Sequence, residues 1–375
     1  MSKPLRQIFA VSLAASILFT PFYAVSAHHE QNDASWFQYS DIALPKGTKL
    51  AQLDNQMRYV LLPTSRNTPS LSIRVRLAVP GAQSHAIAAA LFENTNWKVI
   101  DSATQSVVSQ DFSEASDKTL HEALNQLADI LKSEQASGTY TPALTTIVVA
   151  GNLNLRNSIT AVEKTFSDWK PSLGYHLDAS EVVHTQPENE QATKPNVSLT
   201  AFTQLLDSQD SKQQRKKLLK ATIANKILEN RLKQALADKS VDIKVSSKVL
   251  KNVNLISQVA VISEDYAQAL EAQELVKQEL KRAKAGGFDQ AEYELVVAQL
   301  RSDLEQQTRR FDDNYTAHQA DRLVDAIDEG RVYTSPSYDL ELMNFHVAHL
   351  TEFDISKEFG IIWQKQMEMV SGPNS

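Results

Sequence analysis

This 375-residue chain holds nine histidines and no cysteine, so any metal chemistry would rest on imidazole and carboxylate ligands. A catalytic zinc needs three protein ligands converging at about 2 Å, with a fourth position open to water. His121-Glu122-Ala123-Leu124-Asn125 falls one residue short of a helical H-E-x-x-H pair, because Asn125 stands where the second imidazole belongs. Without that pair at i and i+4 the helix face does not chelate, and a solvated face is the expected role. His346 and His349, with Glu352 beyond, sit one turn apart near a helix end, a spacing suited at most to adventitious metal contact. His28-His29-Glu30 lies in a polar stretch that cannot pre-organise a catalytic water. His85 has Glu93 eight residues on and no second imidazole at ligand spacing.

Other chemistries fare no better. There is no thiol nucleophile, no G-x-S-x-G elbow, no phosphate-binding loop and no dinucleotide fingerprint, and glycine totals only ten. The basic clusters Arg215-Lys216-Lys217 and Lys281-Arg282-Ala283-Lys284 are interleaved with acids along the chain and read as solvated helix faces.

Residues 1–27 read as a secretory signal: Lys3 and Arg6 start it, a mostly apolar run follows, and Val25-Ser26-Ala27 offers small residues for cleavage. Ser12, Ser16, Thr20 and Pro21 interrupt the run, which is short of the roughly 20 apolar residues a bilayer span needs. No later segment is apolar enough to cross a membrane. The expectation is an exported, periplasmic protein without disulfides. Losing Lys3 and Arg6 takes the formal charge from −7 to −9, which argues against nucleic acid or anionic lipid as a main partner.

Elements that would position a site follow from periodicity. Residues 53–62 and 71–79 read as a hairpin about a Pro/Ser/Asn/Thr turn, and residues 106–112 as a further strand. Leu120, Leu124, Leu127 and Leu131 stripe a helix over 117–131; residues 145–150 form a buried-type strand, and a helix over 155–169 ends before Pro171. A polar stretch, 176–193, reads as a linker. Beyond it come strands near 197–202, 241–249 and 255–262, a long helix over 213–236, and a helical tail over 266–283, 290–311, 315–327, 338–349 and 355–369.

Leu53 to Pro63, then Ser70 to Arg76 running into Gly81, resembles the opening hairpin of the M16 (insulinase/pitrilysin-like) metallopeptidases. Thr145-Thr146-Ile147-Val148-Val149-Ala150-Gly151-Asn152, followed by Phe166-Ser167-Asp168-Trp169, resembles that family's "VVVGD" strand and "F-x-x-W" helix end. Phe288 to Glu294 and Ser335 to Leu342 match its closing helices in order. The resemblance implies an α+β protein of two αβ domains, mainly antiparallel sheets packed with helices. The divisions would be a mobile start at 28–35, a truncated first domain at 36–175, the linker, and a second domain at 194–375.

In the family the hairpin leads to an inverted zinc motif, H-x-x-E-H, with a Glu ligand downstream. Here the stretch between Gly81 and Ser106 is expected to lack that helix, and the interval after Leu131 to lack the Glu. Zinc is thus the family's cofactor, but its ligands are absent, and no cofactor is expected. The family also holds substrate as an added strand on a sheet edge, which places a possible peptide-binding edge at Ser106, Val107, Val108, Ser109 and Gln110. An M16 chamber takes two such halves. The implied role is a non-catalytic subunit or regulator of an intact M16 zinc peptidase. A self-standing peptide-binding module and a zinc endopeptidase with an unorthodox site are the alternatives.

Overall fold

Residues 53–62 and 71–79 are both strands but do not pair as the expected hairpin: the strand at Thr145–Gly151 lies between them, parallel to Arg58–Pro63 and antiparallel to Leu71–Leu77. In the computed structural model, which describes residues 40–64, 70–79, 81–102, 105–170, 196–204, 210–250, 254–310, 316–364 and 367–371, strands β1 (Lys49–Gln52) and β2 (Arg58–Pro63) pair antiparallel. The expected signal, the 28–35 start and the 176–193 linker lie outside the described residues. Asn55 fixes the β1–β2 turn: its amide donates to the carbonyls of Phe166 and Trp169 at 2.7 and 2.9 Å, and its oxygen accepts from the Met57 N–H. Next come β3 (Leu71–Leu77), α1 (Ala82–Phe92), β4 (Lys98–Asp101), β5 (Ser106–Phe112) and α2 (Asp117–Leu131). A 3₁₀ turn at Pro142–Leu144, β6 (Thr145–Gly151) and α3 (Leu155–Phe166) complete the block. The sheet order is β1-β2-β6-β3-β5-β4, with β2 and β6 parallel and every other pair antiparallel.

Every residue of β6 is buried, which explains its unbroken apolar run. Ile147 and Val149 join the core beneath α2 and α3, while Val148 and Ala150 face the other way. Gly151 ends β6 at φ 156, and a Cβ there would lie 2.3 Å from the Ser70 carbonyl oxygen, so only glycine fits.

The second sheet comprises β7 (Asn196–Gln204), β8 (Asp242–Leu250), β9 (Asn254–Ile262) and β10 (Met367–Ser371), ordered β10-β7-β9-β8 and wholly antiparallel. Its core packs under α4 (Lys212–Ala235), α5 (Tyr266–Gly286), α6 (Gln290–Arg310) and α9 (Glu352–Ile362), and Met343 of α8 (Pro336–Val347) joins it. Asn225 on α4 secures this core. Its amide donates to the hydroxyls of Ser247 and Ser257, and its oxygen accepts from the Trp363 indole at 2.9 Å. Where the sequence suggests one helix over 355–369, α9 stops at Ile362 and Met367–Ser371 pairs with β7 instead. The open backbone of β7 decides this, since it offers a ladder that an isolated helical turn lacks.

The two blocks repeat one topology. The first runs β3-α1-β4-β5-α2 and closes on β6; the second runs β7-α4-β8-β9-α5 and closes on β10. Sheet orders β6-β3-β5-β4 and β10-β7-β9-β8 correspond strand for strand. They differ in what precedes the closing strand. The second block inserts α6, α7 (Thr316–Asp328), α8 and α9, whereas the first has only the short stretch 132–144. From the second block α7 crosses to the first sheet. Its Ala320, Leu323 and Val324 cover Val60, Leu62, Val148 and Ala150, the face away from α2 and α3.

Candidate functional site

The expected loss of a helix after Gly81 is corrected by α1, which spans Ala82–Phe92. Five alanines in this stretch favour helix intrinsically. Packing fixes it: Ala88 and Phe92 enter the core at 0 and 1 % exposure. Gly81 starts the helix at φ 106, and the Ser84 hydroxyl lies 3.0 Å from the Val79 carbonyl and 2.7 Å from that of Gly81. Tyr140, from the short stretch before β6, donates its phenol to the Ser84 carbonyl at 2.5 Å. The truncated connection is thereby tied to the first turn of α1.

Laid from His85, the H-x-x-E-H spacing puts its Glu at Ala88 and its second His at Ala89. One imidazole survives and the other two functional groups are methyls. His85 is half-buried, and its Nε2 has no hydrogen-bond partner among the described residues. Among the described residues no three His, Cys, Asp or Glu side chains gather as a metal would require. The residues present do not fit a catalytic zinc. The signal that could have found this register was in the sequence: His85 stands ahead of Ala88 and Ala89 at the motif's own spacing.

The other histidines are apart. His121 and Asn125 lie on the exposed side of α2. His346 is buried, and its ring stands 5.5 Å from that of Phe345. His349 is exposed, with Nδ1 3.0 Å from the Phe345 carbonyl. Burial, then the Lys216 charge, holds the His346 imidazole below its ordinary value. His28-His29-Glu30 falls outside the described residues.

Beside the short stretch 132–144 lies a shallow cleft of about 240 Å³, lined by Leu131, Lys132, Tyr140, Asp168 and Trp169 among others. Lys132 donates to Asp168 at 2.5 Å and to the Thr165 carbonyl at 2.7 Å. That bond holds the Asp168 carboxyl below its usual range. A lysine committed to a carboxylate and a carbonyl leaves no acid–base pair there.

The strand proposed for peptide, Ser106, Val107, Val108, Ser109 and Gln110, is β5, and it is not the sheet edge. β3 pairs along its whole length and β4 pairs with Ser106–Ser109 on the other side. The edge is β4, four residues long, whose Ile100 is 64 % exposed. Lys98-Val99-Ile100-Asp101 is too short a run to stand out as a strand in the sequence.

Comparison with known proteins places this arrangement. Residues 138–300 match the family model described as "Peptidase M16 inactive domain". A "predicted insulinase family protease from Yersinia pestis" superposes with TM-score 0.69 at 17% identity, covering 88% of this chain and 93% of that one. The fold is that of an M16 peptidase half. The first half of the periplasmic protease PqqL from Escherichia coli gives TM-score 0.65 at 11% identity, covering 87% of this M16-like chain and 92% of that chain. Against whole PqqL, at 10% identity and TM-score 0.65, the match covers 87% of this chain and 48% of that one. No curated protein sequence matches the M16-like chain.

Proposed function

We propose that this chain is a non-catalytic subunit or regulator of an intact M16 zinc peptidase, working in the periplasm. The observation that carries the reading is α1: a helix following β3, with alanine at both positions where the motif needs Glu and His. Such a half retains a surface and lacks a catalyst. The signal-like residues 1–27 and the likeness to a periplasmic protease support the compartment. The division into domains at 36–175 and 194–375 about a 176–193 linker belongs to the same reading. The test is affinity isolation of the tagged mature chain from its own cell envelope. Recovery of an M16 peptidase bearing H-x-x-E-H supports the proposal; a chain that emerges alone and monodisperse, and ignores such a peptidase when mixed with it, refutes it.

The β4 edge favours a second reading, a self-standing peptide-binding module. Exposed Ile100 lies on a strand with an open side, where an extended peptide would add by backbone hydrogen bonds. Metal-independent, saturable binding of unstructured peptides by the isolated chain would favour it over the subunit.

A further inference from the structure

The repeat exposes a surface that its counterpart covers. On the first sheet, the face away from α2 and α3 carries α7, with Leu323 and Val324 on apolar strand residues and carboxylates on two arginines. Asp321 accepts from Arg74 at 2.5 Å and Asp328 from Arg76 at 2.8 Å. The corresponding helix over the second sheet would have to come from the first block, before β6. The stretch 132–144 there supplies only a 3₁₀ turn.

This face follows from the register, and it is open at Phe202 and along β8, whereas Ser198, Thr200 and Ala260 on it are buried, the two hydroxyls accepting from the Gln258 amide. Phe202, Ile256 and Lys248 form one cross-strand row, Gln258 faces Ser246 in the next, and Lys244 lies one further on. Directly opposed residues, and those two apart on a strand, share a face. The alternate residues, Val197, Leu199 and Val259 among them, are in the core with α4 and α5. Phe202 is 49 % exposed, and Lys244, Ser246 and Lys248 are exposed as well.

We infer that this face of the second sheet docks an acidic amphipathic helix supplied by another chain. Charge selects the occupant. The chain is acidic overall at −7, yet this strip sets two ammonium groups beside an apolar pair, with Asp242 at the far end of the strand. Lys244 and Lys248 are about 13 Å apart along the strand. Carboxylates seven residues apart on a helix, as Asp321 and Asp328 are, span about 10.5 Å, within the reach of lysine side chains. A second copy adding through the edge of β8 is disfavoured, because an antiparallel pair centred on Ser246 would oppose Lys244 to Lys248. The inference holds whether or not the chain supplying the helix is a peptidase.

The probe is a labelled, lactam-stapled peptide of residues 316–328, the sequence that covers the equivalent face. Added to the full mature chain, it should bind saturably by fluorescence anisotropy. The double change Lys244→Glu and Lys248→Glu should weaken it about tenfold, as two exposed ion pairs would. Because the natural chain has no cysteine, Ser246→Cys gives a unique thiol whose labelling the peptide should slow. Absence of saturable binding overturns the inference, as does affinity unchanged by the lysine reversals, which would mean exchange with α7 on the first sheet. A Ser246→Cys thiol already protected in the free chain also overturns it, since the face would then be covered from within. Unaltered melting of both variants shows that folding is not the cause.

Discussion

Arg74 and Asp321 lie 247 positions apart and share a 2.5 Å hydrogen bond. Through it the second block closes over the first sheet. Arg74 is 3 % exposed and donates also to Asp111 at 2.8 Å. Burial works against its charge, and the bonds to Asp321 and Asp111 outweigh that, leaving the guanidinium firmly protonated. The Ser72 and Thr316 hydroxyls, 2.7 Å apart, and the Arg76–Asp328 pair fix the same helix at two more points.

The two carboxylates are half-exposed and the arginine is not, so removing the acids should be strongly non-additive. Asp321→Ala should cost about 1 kcal/mol, because Asp111 still pairs the charge. Asp321→Ala with Asp111→Ala strands a buried guanidinium and should cost about 3 kcal/mol or more. Adding Arg74→Met should recover part of that loss. Urea unfolding at neutral pH measures all three; additivity within about 0.5 kcal/mol would rule out a shared buried charge.

Position 88 is closed and position 89 is open, so rebuilding the zinc motif should fail in a particular way. Ala88 is 0 % exposed, and Ala88→Glu drives a carboxylate into the core, at a cost of about 2–4 kcal/mol. Ala89 is exposed, and Ala89→His should leave melting within about 0.5 kcal/mol of the parent. Neither the single changes nor their combination should bind zinc stoichiometrically or cleave peptides, because the sequence also offers no counterpart of the family's downstream Glu after Leu131. Stoichiometric zinc in the combined variant, measured by calorimetric titration, would contradict this.

Strands and helices with strong periodicity are legible: β2, β3, β6, α2 and α4 all fall where alternation or the leucine stripe puts them, but β2 and β3 are not the hairpin their spacing suggests, because β6 inserts between them. What escaped was set by tertiary partners. Nothing local in Thr316–Asp328 says that it packs on β3 and β6, since an amphipathic stripe does not name the sheet it will meet. Met367–Ser371 becomes a strand because β7 has a free side. At the candidate site His85 is visible in the sequence but α1 is not, because an alanine run with apolar residues all round carries no periodic signal. The resemblance places the edge at β5, and the four residues of β4 that lie outside it are too few to show alternation.

Ile100 separates the two functional readings. It is 64 % exposed on the edge strand, so Ile100→Lys should change stability by less than about 0.5 kcal/mol. A lysine on an edge discourages strand addition. If the β4 edge takes peptide, the variant should bind unstructured peptides several-fold more weakly while melting as the parent does. Equal peptide affinity in the two proteins, by fluorescence anisotropy, would remove β4 as the docking edge.

His346 should make stability fall on mild acidification. Burial first, then the Lys216 charge, opposes its protonation in the folded chain. A hydrogen bond with the Lys212 backbone acts the other way, the Lys212 charge opposes protonation again, Asp41 favours it, and the net result is a value lowered from 6.5. Above that pH both folded and unfolded chains carry the neutral ring, and it contributes no pH dependence. As pH drops past about 6.5 the unfolded chain takes up a proton that the folded chain does not, so stability is lost until the folded value is reached. The slope from one such group is at most about 1.4 kcal/mol per pH unit. Asp168 and Glu229 also have lowered values, but their losses begin below the ordinary carboxylate values of 3.8 and 4.5, so the windows do not overlap. His346→Leu should flatten the stability curve between pH 6.5 and 5, as followed by urea unfolding in a constant-salt buffer series. An identical slope in the variant and the parent would mean that another group carries the acid sensitivity.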